Sequence, residues 1–541
     1  MIENARTKVL WAMIVLTIVF VALTVIHSIW WLIGVVIAGL LVLLGLYDYS
    51  QSRHSILRNY PIIGRMRFML EDAGPELHQY LVENDTEGRP FDRDTRSIMY
   101  QRAKDVADKK PFGTELDVYS EGYTWMMHSV SPRPMPEDPV ATHRVTVGGP
   151  DCTHPYSCSV LNISAMSFGA LGRSAVRAMN TGAKLGGFAH DTGEGGLSKY
   201  HLENGGDLIW QIGTGYFGCR TPEGDFDPEL FRKNAAHDQV KMIEIKVSQG
   251  AKPGHGGILP GAKVTEEIAE ARLVPAGQDV FSPTYHKAFS TPLEMMSFVA
   301  QLRELSAGKP VGFKICIGNP AEFMSIVKAM LATDTYPDFV VVDGAEGGTG
   351  AAPLEFSDSL GTPLVEGLML VQNTLVAAGV RSRMKVGASG KLVSASAMAR
   401  AIALGADWCN SARGFMFAVG CIQSQRCHTN RCPVGVTTQD PKLQRALVVP
   451  DKAERVHHFH RNTVHALAEM VAAIGLDHTS QLCPELMVKR VSESYVQSFA
   501  EIYPHYEINA FIDGTAPERF QRLWDLASPD TFTPPIPQVV R

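Results

Sequence analysis

PVGFKICIGNPAEFMSIVKAMLATDTYPDFVVVDG, residues 310–344, decides the fold. Two short apolar runs, PVGFKICIG (310–318) and DFVVVDG (338–344), flank a helical pattern, NPAEFMSIVKAML (319–331). Asn-Pro is a helix-opening pair, because proline tolerates the first turn and asparagine caps it. Neither run alternates polar with apolar, so each reads as a strand buried on both faces, as parallel strands are. The stretch is one β-α-β unit.

Six more candidate strands surround it: CSVLNISA (158–165), GGFAHDT (186–192), DLIWQIG (207–213), KMIEIKV (241–247), RMKVGAS (383–389) and ADWCNSA (406–412). Helical patterns lie between most of them, at RSAVRAMNTGAKL (173–185), TPLEMMSFVAQLREL (291–305) and SASAMARAIALG (394–405). Eight strands at this spacing predict an α/β fold, a (β/α)8 TIM barrel. A doubly wound sheet fits the same pattern. Glycine-rich motifs follow most of the strands, and a barrel would gather all of those strand ends at one mouth.

Bulk properties bound the function. The chain has 541 residues, 45% apolar, with a net charge of −6 and its Lys and Arg dispersed, so no nucleic-acid partner is expected. Nine scattered cysteines do not form a disulfide framework. Residues 9–26 and 29–47 are two apolar runs separated by His27 and Ser28, each near the ~20 residues that cross a bilayer. They read as a transmembrane helical hairpin in contact with lipid. Arg6 and Lys8 precede it, and Arg53, Arg58, Arg65 and Arg67 follow. The positive-inside rule then places both ends, and the catalytic body, in the cytoplasm. The expected organisation is two membrane helices (1–50), a helical and irregular connector (51–150), the barrel with a cysteine loop (151–445), and a helical C-terminal extension (446–541). HHFH (457–460) reads as solvated histidines on a polar helix.

The motifs at the expected mouth are DTGEGG (191–196), QGAKPGHGGILPGAK (249–263), DGAEGGTGAAP (343–353) and GASGK (387–391). Such glycines let backbone approach a ligand and expose N–H groups to anions. Phosphate in these barrels is often held after strands seven and eight, here Ser389–Gly390 and Ser411–Gly414. Lys314 interrupts an apolar strand, so it either enters the barrel or reaches solvent from an edge. In a flavin site such a cation would stabilise the reduced, anionic ring. Lys252 and Arg272 could hold the carboxylates of a diacid. CIQSQRCHTNRC (421–432) places Cys421, Cys427 and Cys432 at gaps of five and four residues. By spacing alone it suits an iron–sulfur cluster, a zinc site completed by His428, or a coincidence.

GCIQSQRCHTNRCPVGVTTQDP (420–441) resembles the cluster loop of glutamate synthases. SAMSFGALGRSA, DTGEGG, QGAKPGHGGILPGAKV, SPTYH, DGAEGGTGAAP and GASGKL occur in that family's order. The resemblance covers roughly 150–445 and implies a TIM barrel carrying FMN and a [3Fe–4S] cluster. The implied reaction is the reductive amination of 2-oxoglutarate to glutamate. Carried over by position, Cys421, Cys427 and Cys432 are the implied cluster ligands. Ser164, Ala165, Met166, Lys314, Gly348, Gly390, Ser411 and Gly414 are the implied flavin contacts. Lys252 and Arg272 are implied to bind the keto acid, and Glu194 to serve acid–base or ammonia chemistry.

The departures shape the expectation. No glutaminase domain is expected, so ammonia or another amine would come from solution or a partner. No Rossmann GxGxxG unit or second cysteine set is visible, so the expected electron donor is external, ferredoxin-like or membrane-associated. Ile258 stands where the family has glutamine, and FSPTYHKA (281–288) replaces ISPPPHHD. The alternatives are therefore another amine or keto acid, for example N-alkyl amino acid formation, or a membrane-tethered flavin and iron–sulfur electron carrier. HSILRNYPIIGRMR (54–67) is similar to a stand-alone, membrane-anchored branch of the family.

Overall fold

The computed structural model describes residues 7–533; Arg6 and the PPIPQVV stretch (534–540) lie outside the described residues. The chain divides into two compact units, one up to Arg93 and one from Asp94.

In the first unit, helices Lys8–Ile26 and Leu32–Ser50 are joined by the 3-10 turn Ile29–Trp31. Both apolar segments are long and apolar enough to cross a membrane. Phe20 stacks on Trp31 at 5.7 Å. A Cβ on Gly45 would sit 2.6 Å from Leu10, so glycine there lets the two helices approach closely. The apolar side chains otherwise face outward along both helices, Ile18 and Leu43 among them. Asp48 is the exception. It is fully buried and accepts hydrogen bonds from Arg65 Nε (3.0 Å), Arg65 Nη2 (2.6 Å) and the Ile62 N–H (3.1 Å).

The second unit contains a closed, all-parallel barrel of eight strands. We number them β1 (Leu161–Ile163), β2 (His190–Asp191), β3 (Leu208–Ile212), β4 (Val240–Lys246), β5 (Val311–Ile315), β6 (Phe339–Asp343), β7 (Lys385–Ser389) and β8 (Trp408–Ser411). β8 pairs with β1 and closes the ring. All eight expected strands are present, in the expected order, and the doubly wound alternative is excluded by that closure.

One run is divided. CSVLNISA contributes only Leu161–Ile163 to the barrel, while Tyr156–Ser159 pairs antiparallel with Arg144–Val147. This hairpin belongs to the core at the N-terminal end of the barrel. Val147, Tyr156 and Cys158 pack there with Ile209, Met242, Phe339, Val341 and Trp408. The Asp338 carboxylate ties the same end together. It is buried and accepts from Arg303 Nη2 (3.0 Å), the Val311 N–H (2.8 Å) and the Gly149 N–H (2.6 Å).

Helix Val449–Ile474 lies against helix Arg173–Gly186. Its histidines correct the sequence reading. His460 is fully buried, stacked on Phe188 at 3.9 Å, with Nε2 2.8 Å from Ser159 Oγ. Within HHFH only His457 and His458 are partly open. The C-terminal extension is helical in part only, since Met487–Ser492 pairs with Tyr495–Ser498 on one side and with Thr124–Met126 on the other. In MVKRVSESYVQS two short runs with valines and a tyrosine flank the polar Glu493–Ser494, a hairpin composition rather than a helical one.

Gly182 is where the two long helices touch. A Cβ there would fall 2.4 Å from Val456 Cγ1 and 2.7 Å from the Ala453 carbonyl oxygen. Gly182→Ala is therefore expected to destabilise the barrel by about 1–3 kcal/mol through overpacking. A lowered thermal-unfolding midpoint measures it; an unchanged midpoint contradicts the contact.

Candidate active site

The C-terminal ends of the strands surround an open cavity of about 1150 Å3. Its floor is set by charge. Lys314 on β5, Glu244 and Lys246 on β4, Gln211 on β3 and Asp191 on β2 are all buried. Lys314 Nζ is 3.7 Å from Glu244 Oε1, and Gln211 Nε2 donates to the same oxygen at 2.6 Å. Glu244 Oε2 is buried with no standard hydrogen-bond donor. Burial, and next the Glu244 charge, push the Asp191 carboxyl well above its ordinary range against the pull of Lys314. Burial also opposes the charge on Lys314, but Glu244 and Asp191 outweigh it and raise its pKa. Lys314 thus enters the barrel, and the solvent-edge reading is excluded.

One level above, Glu194 follows β2 in a 3-10 turn whose first residue, Gly193, has φ +63°. A Cβ at Gly193 would lie 2.6 Å from the Ser167 N–H nitrogen, so only glycine passes this turn without strain. Glu194 Oε1 lies 2.9 Å from Lys246 Nζ. Burial opposes the Glu194 carboxylate, but Lys246, then Lys252 and Arg272, outweigh it and draw the carboxyl down to about 2.

The long excursion after β4 supplies Lys252 and Arg272, both buried. Lys252 Nζ reaches only the Gly256 carbonyl oxygen, at 3.4 Å. Arg272 donates through Nη2 to the Phe168 carbonyl (3.1 Å) and Ser167 Oγ (3.4 Å), and lies over the Phe217 ring at 4.9 Å. Its buried Nε has no acceptor. Among the described residues neither cation forms an ion pair within 4 Å. Burial lowers both, Arg272 to about 10, as expected of cations that lack a counter-ion.

Ala165, Met166, Glu194, Lys252, Arg272, Lys314, Gly348 and Cys427 line this one cavity. Ser164, Gly390, Ser411 and Gly414 do not line it; they stand at the ends of β1, β7 and β8. Ser164 Oγ lies 3.3 Å from Ser389 Oγ. Ser411 Oγ is buried without a partner, and a Cβ on Gly414 would come within 2.7 Å of it. The Phe459 ring crowds the same position at 2.7 Å, so only glycine fits at 414. Serine hydroxyls gathered at adjoining strand ends, one of them unsatisfied, suit the phosphate of a bound nucleotide cofactor.

Cys421 and Cys427 are half-buried and Cys432 is buried. Burial, and to a lesser degree Cys427 and Cys432, push the Cys421 thiol up to about 11. At Cys432 burial is outweighed by donors from Thr437 and the N–H groups of Val434 and Val436, which set that thiol below its ordinary value. Lys263 braces the loop, its buried Nζ donating to the carbonyls of Cys427 and Thr437, each at 3.0 Å. Clustered thiols with backbone donors and an ammonium beside them fit an anionic metal cluster.

Lys246, Glu244, Gln211 and Lys263 were not singled out in the sequence. For Glu244 and Lys246 a signal existed. They are charges two residues apart inside the apolar run KMIEIKV, so they share one face of the strand, the same signature that marked Lys314. Lys263 carried none, because its role rests on a loop more than 160 residues away.

A family described as the conserved region in glutamate synthase matches residues 154–477. A glutamate synthase large subunit-like protein of Bacillus subtilis is 39% identical over 505 residues, covering 86% of this chain and 96% of that protein. The archaeal-type glutamate synthase [NADPH] of Thermotoga maritima is 33% identical over 321 residues, covering 59% of this chain and 60% of that protein. The archaeal glutamate synthase [NADPH] of Methanocaldococcus jannaschii is 35% identical with the same coverage. The chain thus spans nearly all of the first relative and about 60% of the other two.

The Glu194–Lys246 pair carries a pH signature. Glu194 is depressed from 4.5 to about 2, so its stabilisation is complete above 4.5 and is lost as pH falls toward 2. Lys246→Met is expected to be less stable than the parent from neutral pH down to about 4.5, with the gap narrowing below that. Urea-unfolding midpoints across that range measure it; a gap that does not narrow below 4.5 contradicts the assignment.

Proposed function

Because this chain belongs to the glutamate synthase family, whose members are oxidoreductases acting on CH–NH2 donors, we propose that it binds FMN and a [3Fe–4S] cluster and reductively aminates 2-oxoglutarate to glutamate, with ammonia supplied from outside the chain. The observation that carries this reading is the charge at the mouth. Arg272, Lys252 and Lys246 against Glu194 leave two positive charges over, the complement of a dicarboxylate dianion.

Bound FMN would supply hydride transfer. Lys314, Gly348, Ala165 and Met166 would face the ring, and Ser164, Gly390, Ser411 and Gly414 would surround its phosphate. The cation of Lys314 is buried and counterbalanced, so it holds positive charge at the floor without reorganising. Arg272 and Lys252 would each take one carboxylate, fixing the keto carbon above that floor. A carboxyl at about 2 is a weak base at neutral pH, which makes Glu194 a charge that attracts ammonium rather than a proton shuttle. Lys246, 2.9 Å from it, would serve as the proton donor for a departing keto oxygen.

Cys421, Cys427 and Cys432 would ligate the cluster. Zinc at about 2.3 Å from each thiolate would need sulfurs about 3.8 Å apart. Among the described residues, no three ligand atoms including these sulfurs close within 4.8 Å of one another, which favours a larger inorganic core. The apolar N-terminal helices support a hairpin through the membrane with the catalytic unit on the cytoplasmic side. The electron donor would be an external one-electron carrier, ferredoxin-like or membrane-bound.

A second reading rests on the outer rim. Ile258 pairs with Phe281 in a short antiparallel ladder, and Ile258, Phe281 and Tyr285 are 44%, 64% and 72% exposed. An apolar rim suits an alkylamine, giving an N-alkyl amino acid from the same keto acid.

The purified chain with 2-oxoglutarate, ammonium and an artificial reductant is expected to form glutamate. Product with methylamine but not ammonium would select the second reading, and no product with either would reject both. Arg272→Gln is expected to raise KM for the keto acid about 10- to 100-fold, the loss of one charge-assisted contact. Cys427→Ser is expected to abolish a low-temperature three-iron EPR signal while the flavin absorption remains.

A further inference from the structure

We propose that residues 63–82 form an in-plane membrane helix whose apolar face lies in the acyl boundary of a bilayer containing anionic lipid. The proposal rests on the reading of the N-terminal hairpin as membrane-spanning.

Helix Arg65–Leu77 continues without a break into the π-helical turn His78–Val82. Ile63, Met66, Met69, Leu70, Leu77, Tyr80 and Leu81 recur at steps of three, four and seven, so they share one stripe. That stripe is open rather than packed: Met69 is 70% exposed, Leu70 60% and Leu81 77%. Arg67, Glu71 and Asp72 occupy the other side. A polar face opposite a fully exposed apolar one is the pattern of a helix lying at a lipid–water boundary.

Two further observations name the occupant. The helix is pinned to the end of the second apolar helix, because Asp48 in that helix's last turn holds Arg65 bidentately and caps the Ile62 N–H. A helix fixed there starts at the depth where a spanning segment leaves the hydrocarbon. Tyr47 and Tyr49, both exposed, stand at the same level, as aromatic residues do at the interface. Secondly, residues 51–70 contain four arginines and no Asp or Glu. Arg53 and Arg58 are exposed, while Arg65 and Arg67 are paired with Asp48 and Glu71. A basic segment before an apolar stripe is complementary to anionic headgroups above acyl chains.

The test uses the full chain in vesicles of three parts phosphatidylcholine to one part phosphatidylglycerol. An environment-sensitive fluorescent amino acid is placed in turn at positions 70, 77 and 72. A nitroxide on the lipid acyl chain is expected to quench the probes at 70 and 77 severalfold more than the probe at 72, and aqueous iodide to do the reverse. Equal quenching at 70, 77 and 72 overturns the proposal. So does shielding of 70 and 77 from both quenchers, which would mean that protein, such as a second copy of the chain, covers the stripe. An alkaline carbonate wash separates the two levels of failure. A chain that stays with the vesicles retains the spanning hairpin whatever the quenching shows. A chain that washes off refutes the hairpin and this helix together.

Discussion

An ammonium placed in the middle of an apolar strand is tolerable only if a counter-charge is built in beside it, and the barrel is arranged around that requirement. Lys314 and Glu244, on adjacent strands, meet at 3.7 Å with both side chains almost wholly buried. Removing either partner would strand a charge in a medium where it cannot be solvated, at a cost of about 3–5 kcal/mol. Asp191 adds a second buried carboxyl beside the pair, and its pKa is pushed well above the ordinary range. The floor is therefore polarised, with the Lys314 ammonium set against buried carboxyl groups. Everything above inherits that polarity: Lys246 stands on the same strand face as Glu244 and hands its charge on to Glu194.

The cations above the floor obey the opposite rule. Lys252 and Arg272 are buried without a carboxylate of their own, so the folded chain holds two charges that folding alone does not satisfy. Such groups are retained where a ligand completes them. A compensated cation, Lys314, and two uncompensated ones, Lys252 and Arg272, thus lie within one cavity.

Much of this was legible in the sequence, because parallel strands are short, apolar and bounded by glycine. The barrel, its strand order and the residues of the glycine-rich motifs follow from pattern and resemblance. What escaped depends on contacts far apart in the chain. Cys158 and Ser159 look like the start of a barrel strand, and only their antiparallel partners Val145 and Arg144 divert them. His460 looks solvated among HHFH, and only Phe188 and Ser159 reveal it as buried. Lys263 is one lysine among many until its two carbonyl acceptors are located.

That lysine links two loops with different duties. Lys263 belongs to the same excursion as Lys252, Ile258 and Arg272, and its ammonium grips the backbone of the cysteine loop at Cys427 and Thr437. The segment that carries the two buried cations is thus buttoned to the segment that carries the three cysteines. A shift of the cysteine loop would pull on Lys263 and, through it, on the strip of chain that sets Lys252 and Arg272 over the cavity.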